Sequence, residues 1–273
     1  MERTVAERVR GFRTEDGGGV SLVRVLGPQT TERFDPILML DSFDSTDPAD
    51  WEAGFPLHPH RGIETISFIA RGAMRHRDSL GHEDTVRDGE VQWMTAGSGI
   101  LHEEMMPGVT RLLGVQLWLN LPARDKMVPP SYHAIRRESI PEVTLAGGRL
   151  RVLAGTYGDV RGFEGSYLPL DYYDIHLEPE SETSLVLDPE RSAFVFTLTG
   201  SVRVAGEPVS EKTAARLTRG DRLTIAAGDG GAEVLYVASQ PLREPIAWGG
   251  PIVMNTNEEL DRAYRELREG TFA

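Results

Sequence analysis

The eight residues "FIARGAMR" (68–75) return as "FTLTGSVR" (196–203), with Phe, Gly, an apolar residue and Arg at the same spacing. Farther along, "GEVQWMTAGSG" (89–99) and "GDRLTIAAGDG" (220–230) agree at four glycine or alanine anchors, and an acidic residue follows the first glycine in each. The offset is 128 for the first pair and 131 for the second, so the matches run in order at nearly one spacing. Repetition of strand-and-turn segments at such a distance is the mark of a duplicated β-domain. The surrounding runs, among them "GVSLVRVLG", "RLLGVQLWLNLP" and "RLTIAAGDG", are strand-length, rich in β-branched and large apolar side chains, and bounded by Gly, Pro, Asp or Asn. The expected fold is therefore all-β, two tandem barrels or sandwiches. They divide near "NLPARDKMVPPSY", into 1–128 and 129–273. A helix is expected only at the end, over about 256–269: Leu260, Ala263, Tyr264 and Leu267 share a face and Gly270 closes the run. A short helical turn capped by Asp47 or Asp50 is expected in "STDPADWEAG".

Composition removes several chemistries. A net charge of −13 offers no basic excess to displace counterions from nucleic acid or to dock on an anionic membrane. With no cysteine, disulfides, thiolate nucleophiles and sulfur-ligated metals are excluded, so any metal takes nitrogen and oxygen ligands. The N-terminus is charged where a signal peptide needs an apolar run, and no stretch reaches membrane-spanning length, which makes a cytoplasmic location the expectation. No "GxSxG", "GK[ST]" or "GxGxxG" sits in a suitable context.

The chemistry concentrates in "FPLHPHRGIET" (55–65). On a strand, residues two apart share a face, so His58 and His60 project together; the same parity runs on through Glu64, Ile66, Phe68 and Ala70, which reads as the inner face. Two imidazoles turned into an apolar interior need a partner for their ring nitrogens, and a metal supplies one. The complementary half is expected in "GSGILHEEMMP" (97–107), where His102 and Glu104 share one face and Glu103 takes the other. His58, His60, His102 and Glu104 would suit a divalent transition ion: iron, nickel, cobalt, manganese, copper or zinc. Around an octahedral ion, such a set leaves positions open for substrate or dioxygen. Glu64 is the internal rival to Glu104, and Phe55, Trp93, Met94, Met105 and Met106 are candidates for an apolar pocket mouth. His76 and His82, in "MRHRDSLGHEDTVRDG", read as a solvated hairpin, and His176 as an ordinary hydrogen-bonded residue. By the repeat offset, His58 and His60 fall on Val186 and Asp188, and His102 and Glu104 on Glu233 and Leu235, so the second copy is expected to lack the site.

The blocks "FDPILMLDSF", "FPLHPHRGIETISFIARG", "GEVQWMTAGSGILHEEM", "GVQLWLNLP" and "REPIAWGGPIVMNTNEE" resemble, in order, the signature blocks of the pirin family, two-domain members of the cupin superfamily. The resemblance runs from about residue 10 to the C-terminal helix. It implies two cupin barrels (double-stranded β-helices, or jelly rolls) with metal in the first only, held by His58, His60, His102 and Glu104, and makes Glu64 a neighbour of the ligands. Gly54 lies four residues before the first histidine, where general cupins place a glycine six before, and "TAGSG" replaces their "PxG". Two functions are implied. One is quercetin 2,3-dioxygenase-like opening of a flavonol by O2 with release of carbon monoxide, Glu104 accepting the substrate proton. The other is non-enzymatic: a redox-responsive iron protein that binds a transcription factor or a metabolic enzyme.

Overall fold

The alternating runs pair into sheets that close as two barrels, seen in a computed structural model that describes all 273 residues. Contacts divide the chain into two units. One, here the histidine barrel, comprises Arg13–Thr31, Ile37–Arg137 and Leu242–Ala273. The other, the aliphatic barrel, comprises Met1–Phe12, Glu32–Pro36 and Glu138–Pro241.

This division departs from a single cut at 128/129. The strand Val5–Arg10 pairs with Thr213–Leu217 in the aliphatic barrel, whereas Ser131–Ile135, in the Pro-rich stretch expected to be a linker, is the edge strand beside Glu90–Thr95. The C-terminal segment returns to the histidine barrel through a bridge between Arg61 and Ile252. Its helix spans Asn257–Glu269. Thr256 Oγ1 accepts from the Glu259 amide at 3.2 Å while the Glu259 carboxylate accepts from the Thr256 amide at 3.1 Å, a capping box worth about 1 kcal/mol. Leu260, Ala263, Tyr264 and Leu267 pack against Ile252, Met254 and Phe272. A 3-10 turn, Pro48–Asp50, starts at Asp47, which accepts from the Ala49 amide.

The histidine barrel is walled by two sheets, beside the two-stranded ribbon Ala247–Gly249 and Ile252–Met254. The larger is ordered Ser131–Ile135, Glu90–Thr95, Ile63–Arg71, Leu112–Asn120, Ile37–Ser45, Val20–Leu26, Phe12–Asp16; the smaller is Phe55–His60, Ile100–Met105, Ala73–Asp78, Glu83–Arg87. The chain passes from the smaller sheet to the larger at Gly62. Its φ is +79°, and a Cβ there would stand 2.0 Å from the Val253 carbonyl oxygen, so only glycine fits. That break corrects the parity expectation. Beyond it Ser67 shares a face with its partners Gln92 and Gln116, while Glu64 and Ile66 lie opposite Thr95 and Trp93 on the other face. Glu64 is therefore turned away from the interior that Gln92 and Gln116 line.

Strand pairing also corrects the repeat alignment. The 128-residue offset holds for "FIARGAMR", since Ser67 pairs with Gln92 and Gln116 as Val195 pairs with Ala215 and Tyr236. Arg75 pairs with Met105 and Arg203 with Ala226; His58 pairs with His102 and Leu185 with Leu223. The residues equivalent to His58, His60, His102 and Glu104 are thus Leu185, Leu187, Leu223 and Ile225, all in one apolar core. Gly/Ala turn anchors recur at many β-turns, and the four that matched 89–99 to 220–230 set the register several residues off.

Candidate metal centre

Antiparallel pairing of Phe55–His60 with Ile100–Met105 puts His102 opposite His58 and Ile100 opposite His60. Three imidazoles converge as a result, with ring centroids 4.8 Å (His58–His60), 4.3 Å (His58–His102) and 5.0 Å (His60–His102) apart. The hydrogen bonds assign their tautomers. His58 Nδ1 donates to the Pro56 carbonyl and His60 Nδ1 to the Pro251 carbonyl, each at 2.9 Å. Both Nε2 atoms then carry lone pairs, and they face one another at 3.1 Å. His102 Nε2 is buried with no protein partner. Facing lone pairs repel unless a cation lies between them. All three rings are also held neutral: burial lowers the pKa of each, that of His60 to about 3, with the neighbouring imidazoles adding to the effect at His60 and His102. Neutral nitrogens, all within 4.8 Å of one another, are a donor set that fits a metal ion.

Glu104 follows on the same face of the strand, 1% exposed. One carboxylate oxygen accepts from Gln92 Nε2, the other from Gln116 Nε2 at 2.9 Å, and both amides reach Ser67 Oγ at 3.4 Å. Burial pushes its carboxyl up to about 7 against the pull of the two amides. The triad of converging ligand atoms consists of the histidines alone; Glu104 stands next to them with its oxygens engaged by the amides.

The remaining sequence candidates are dispersed. Glu64, its pKa raised by burial, accepts from Trp93 Nε1 at 3.0 Å and Thr95 Oγ1 at 2.7 Å on the far face of the sheet. Met94 packs with Ile63, Ile100 and Trp118, and Met106 with Phe43, Trp51 and Phe55. Met105, half-buried, alternates with His102 and Glu104 on their strand and so points away from them. Phe55 lines a cavity of about 670 Å3 that opens on His58 and His60. The cavity's other walls, Trp118, Trp248, Met39, Arg24 and Asp16, were not singled out from the sequence. Trp118 and Trp248 stand 5.8 Å apart at 33°, and Trp118 meets His60 edge-on at 4.9 Å. Arg24 grips buried Asp41 at 2.9 and 2.7 Å and reaches Asp16 at 2.6 Å. The two tryptophans do lie in the "GVQLWLNLP" and "REPIAWGG" blocks, the one sequence signal that could have found them. His76 corrects the solvated-hairpin expectation: it is fully buried, 3.4 Å from His102 and stacked on Tyr132. Only His82 of that pair is exposed.

The aliphatic barrel holds a second close group, Asp174, His176 and Glu233. Here a cationic side chain already stands in the group. Asp174 accepts from His176 at 2.9 Å and from Arg151 at 3.3 Å. Burial pulls the His176 pKa down, but the bond to Asp174 and the charges of Asp174 and Glu233 prevail and raise it. The Arg151 guanidinium paired with Asp174 supplies a counter-charge of a kind that the histidine triad lacks.

A double-stranded β-barrel with three converging imidazoles, two of them buried, and a second barrel of the same topology define a two-domain cupin with a metal-type centre in one barrel. Residues 19–119 match the pirin family and residues 172–273 the pirin C-terminal cupin domain. The chain is 42% identical to a Pseudomonas aeruginosa protein named as a candidate quercetin 2,3-dioxygenase, covering 99% of this chain and 98% of that one. It is 35% identical to human pirin over 93% of this chain and 88% of the other. A crystal structure of quercetin 2,3-dioxygenase from Acinetobacter baumannii superposes with a TM-score of 0.91 at 32% identity, covering 100% and 99% of the two chains. The protein belongs to the pirin family.

Proposed function

We propose that this pirin is a mononuclear metal-dependent dioxygenase of quercetin 2,3-dioxygenase type, acting on a flavonol-like substrate. The observation that carries the reading is the set of converging neutral Nε2 atoms opening on a cavity walled by two tryptophans. The names of the Pseudomonas and Acinetobacter relatives support it. His58, His60 and His102 would hold the ion, and Glu104, whose oxygens Gln92 and Gln116 engage, would be the fourth ligand. When bound, a divalent first-row ion, iron(II) foremost, supplies Lewis acidity toward the substrate hydroxyl and an electron path to dioxygen.

The chain's own residues do the rest. Trp118 and Trp248 receive the planar rings of the substrate by stacking. Glu104 would take the proton of the hydroxyl next to the carbonyl. Gln92 and Gln116 keep its oxygens aimed while the proton arrives. In balance, one flavonol and one O2 give one depside ester and one carbon monoxide. The test is oxygen uptake and carbon monoxide release with quercetin, using protein loaded with iron, nickel or manganese. Equal amounts of oxygen consumed and carbon monoxide formed are expected; no uptake with any of the three contradicts the reading.

A further inference from the structure

The strand Ala73–Asp78 lies beside Ile100–Met105, with Asp78 opposite His102 and His76 opposite Glu104. Asp78 Oδ1 accepts from the amides of Leu80 at 2.9 Å and His82 at 3.1 Å; Oδ2 accepts from His76 Nε2 and His82 Nδ1, both at 2.9 Å. A carboxylate only accepts, so His76 must donate through Nε2. Its Nδ1 is then the acceptor, and it faces His102 Nδ1 at 3.4 Å. His102 in turn must donate from Nδ1, which leaves the lone pair on Nε2, the atom that is buried without a protein partner. Tyr132 stacks on His76 at 4.2 Å and 14°, which holds that ring in plane.

We propose that Asp78 and His76 are positioning residues for His102, fixing through two consecutive hydrogen bonds the tautomer whose Nε2 binds metal. This rests on the metal-centre reading above. His58 and His60 have their tautomers set by backbone carbonyls; His102, in mid-strand, has no such carbonyl and uses an imidazole and a carboxylate instead. The duplication gives a second, independent observation. At the repeat offset His76 corresponds to Val204 and Asp78 to Gly206, so the barrel that lacks the histidine triad lacks both members of the chain behind it. A carboxylate behind a metal-binding imidazole orients it and strengthens it as a donor; here one further imidazole is interposed.

The experiment has two readouts. In metal-free protein with 15N-labelled histidines, the ring nitrogen shifts give the tautomer of His102 directly. Cobalt(II) titration followed by visible absorption gives affinity and stoichiometry. The expected result is Nδ1-protonated His102 in the wild type, a mixture of tautomers in His76→Phe and Asp78→Asn, and cobalt affinity lowered about 10- to 100-fold in both variants. His76→Phe keeps a ring against Tyr132, so loss of stacking is not the cause. Nε2-protonated His102 in the wild type overturns the proposal, and that measurement needs no variant to fold. Folded variants that bind cobalt within about twofold of wild type, or that lose affinity with the His102 tautomer unchanged, also overturn it. If the wild type takes up no cobalt, the metal-centre reading fails, and the tautomer shifts alone then decide the positioning claim.

Discussion

The two barrels share one topology and differ in what fills them. At seven interior positions the histidine barrel carries His58, His60, Ser67, Gln92, His102, Glu104 and Gln116, where the aliphatic barrel carries Leu185, Leu187, Val195, Ala215, Leu223, Ile225 and Tyr236. Each buried leucine contributes about 1.5–3 kcal/mol of apolar burial; each buried polar group costs unless partnered. The aliphatic barrel therefore shows what the interior holds when stability alone sets it. The histidine barrel shows what is exchanged for a set of converging nitrogen donors that fits a metal ion.

The largest expected effect comes from swapping the two interiors at one position. His102→Leu installs the aliphatic barrel's residue. Metal uptake falls to below about a tenth of an equivalent while the stability of the metal-free protein changes by less than about 1 kcal/mol, because the unpartnered His102 Nε2 disappears but His76 Nδ1 loses its donor; metal analysis and urea denaturation check both. The reciprocal Leu223→His is expected to lose about 2–4 kcal/mol and to gain no metal. Gly62→Ala tests the hinge between the sheets. With the Val253 carbonyl 2.0 Å from the new Cβ, a loss of about 2–4 kcal/mol is expected, together with weaker metal binding, since His60 sits two residues before it. Glu104→Gln is expected to lower kcat for quercetin about 10²- to 10⁴-fold through loss of the proton acceptor, read by oxygen uptake.

The smallest expected effect is in pH dependence, and its sign differs between the barrels. His58, His60 and His102 bind protons more weakly folded than unfolded, so below the ordinary value of 6.5 the unfolded chain takes up more protons and the metal-free protein loses stability as pH falls. Glu104, raised to about 7, opposes this; its stabilisation is full below about 4.5 and lost as pH rises toward 7. Urea titrations should show a steeper loss of stability below pH 6.5 in Glu104→Gln than in the wild type, since the opposing contribution of Glu104 is removed. His176 has a raised pKa, so its contribution is full below 6.5 and lost as pH rises through the raised value. His176→Gln should therefore cost stability at acid pH and nothing at alkaline pH.

Much of this was legible in the sequence, for identifiable reasons. Strand-length runs and the repeated "FxxxGx(M/V)R" point to the duplicated β-fold, and His-Pro-His two residues apart points to the converging histidine pair, because both are local patterns. Parity failed at Gly62, where one residue of positive φ starts a new sheet and turns Glu64 away from the interior. His76 was misread because its neighbours Arg75, Arg77 and Asp78 look solvated, while strand pairing alone buries it. The C-terminal helix follows the second barrel in the chain yet groups by contacts with the histidine barrel, since which sheet a returning segment joins is a non-local fact. Their attachment depends on pairs such as Arg61–Glu266 and on Lys126, which donates to the carbonyls of Gly62 and Val253. No helix is long and apolar enough to cross a membrane.

The central claim is that one barrel binds metal and its twin does not. Titrating the purified metal-free protein with cobalt(II) or iron(II) tests it most directly. Saturation at one equivalent per chain in the wild type, abolished in His102→Leu and unchanged in His176→Gln, is the result expected. Saturation at two equivalents, or a stoichiometry that survives His102→Leu, would contradict it.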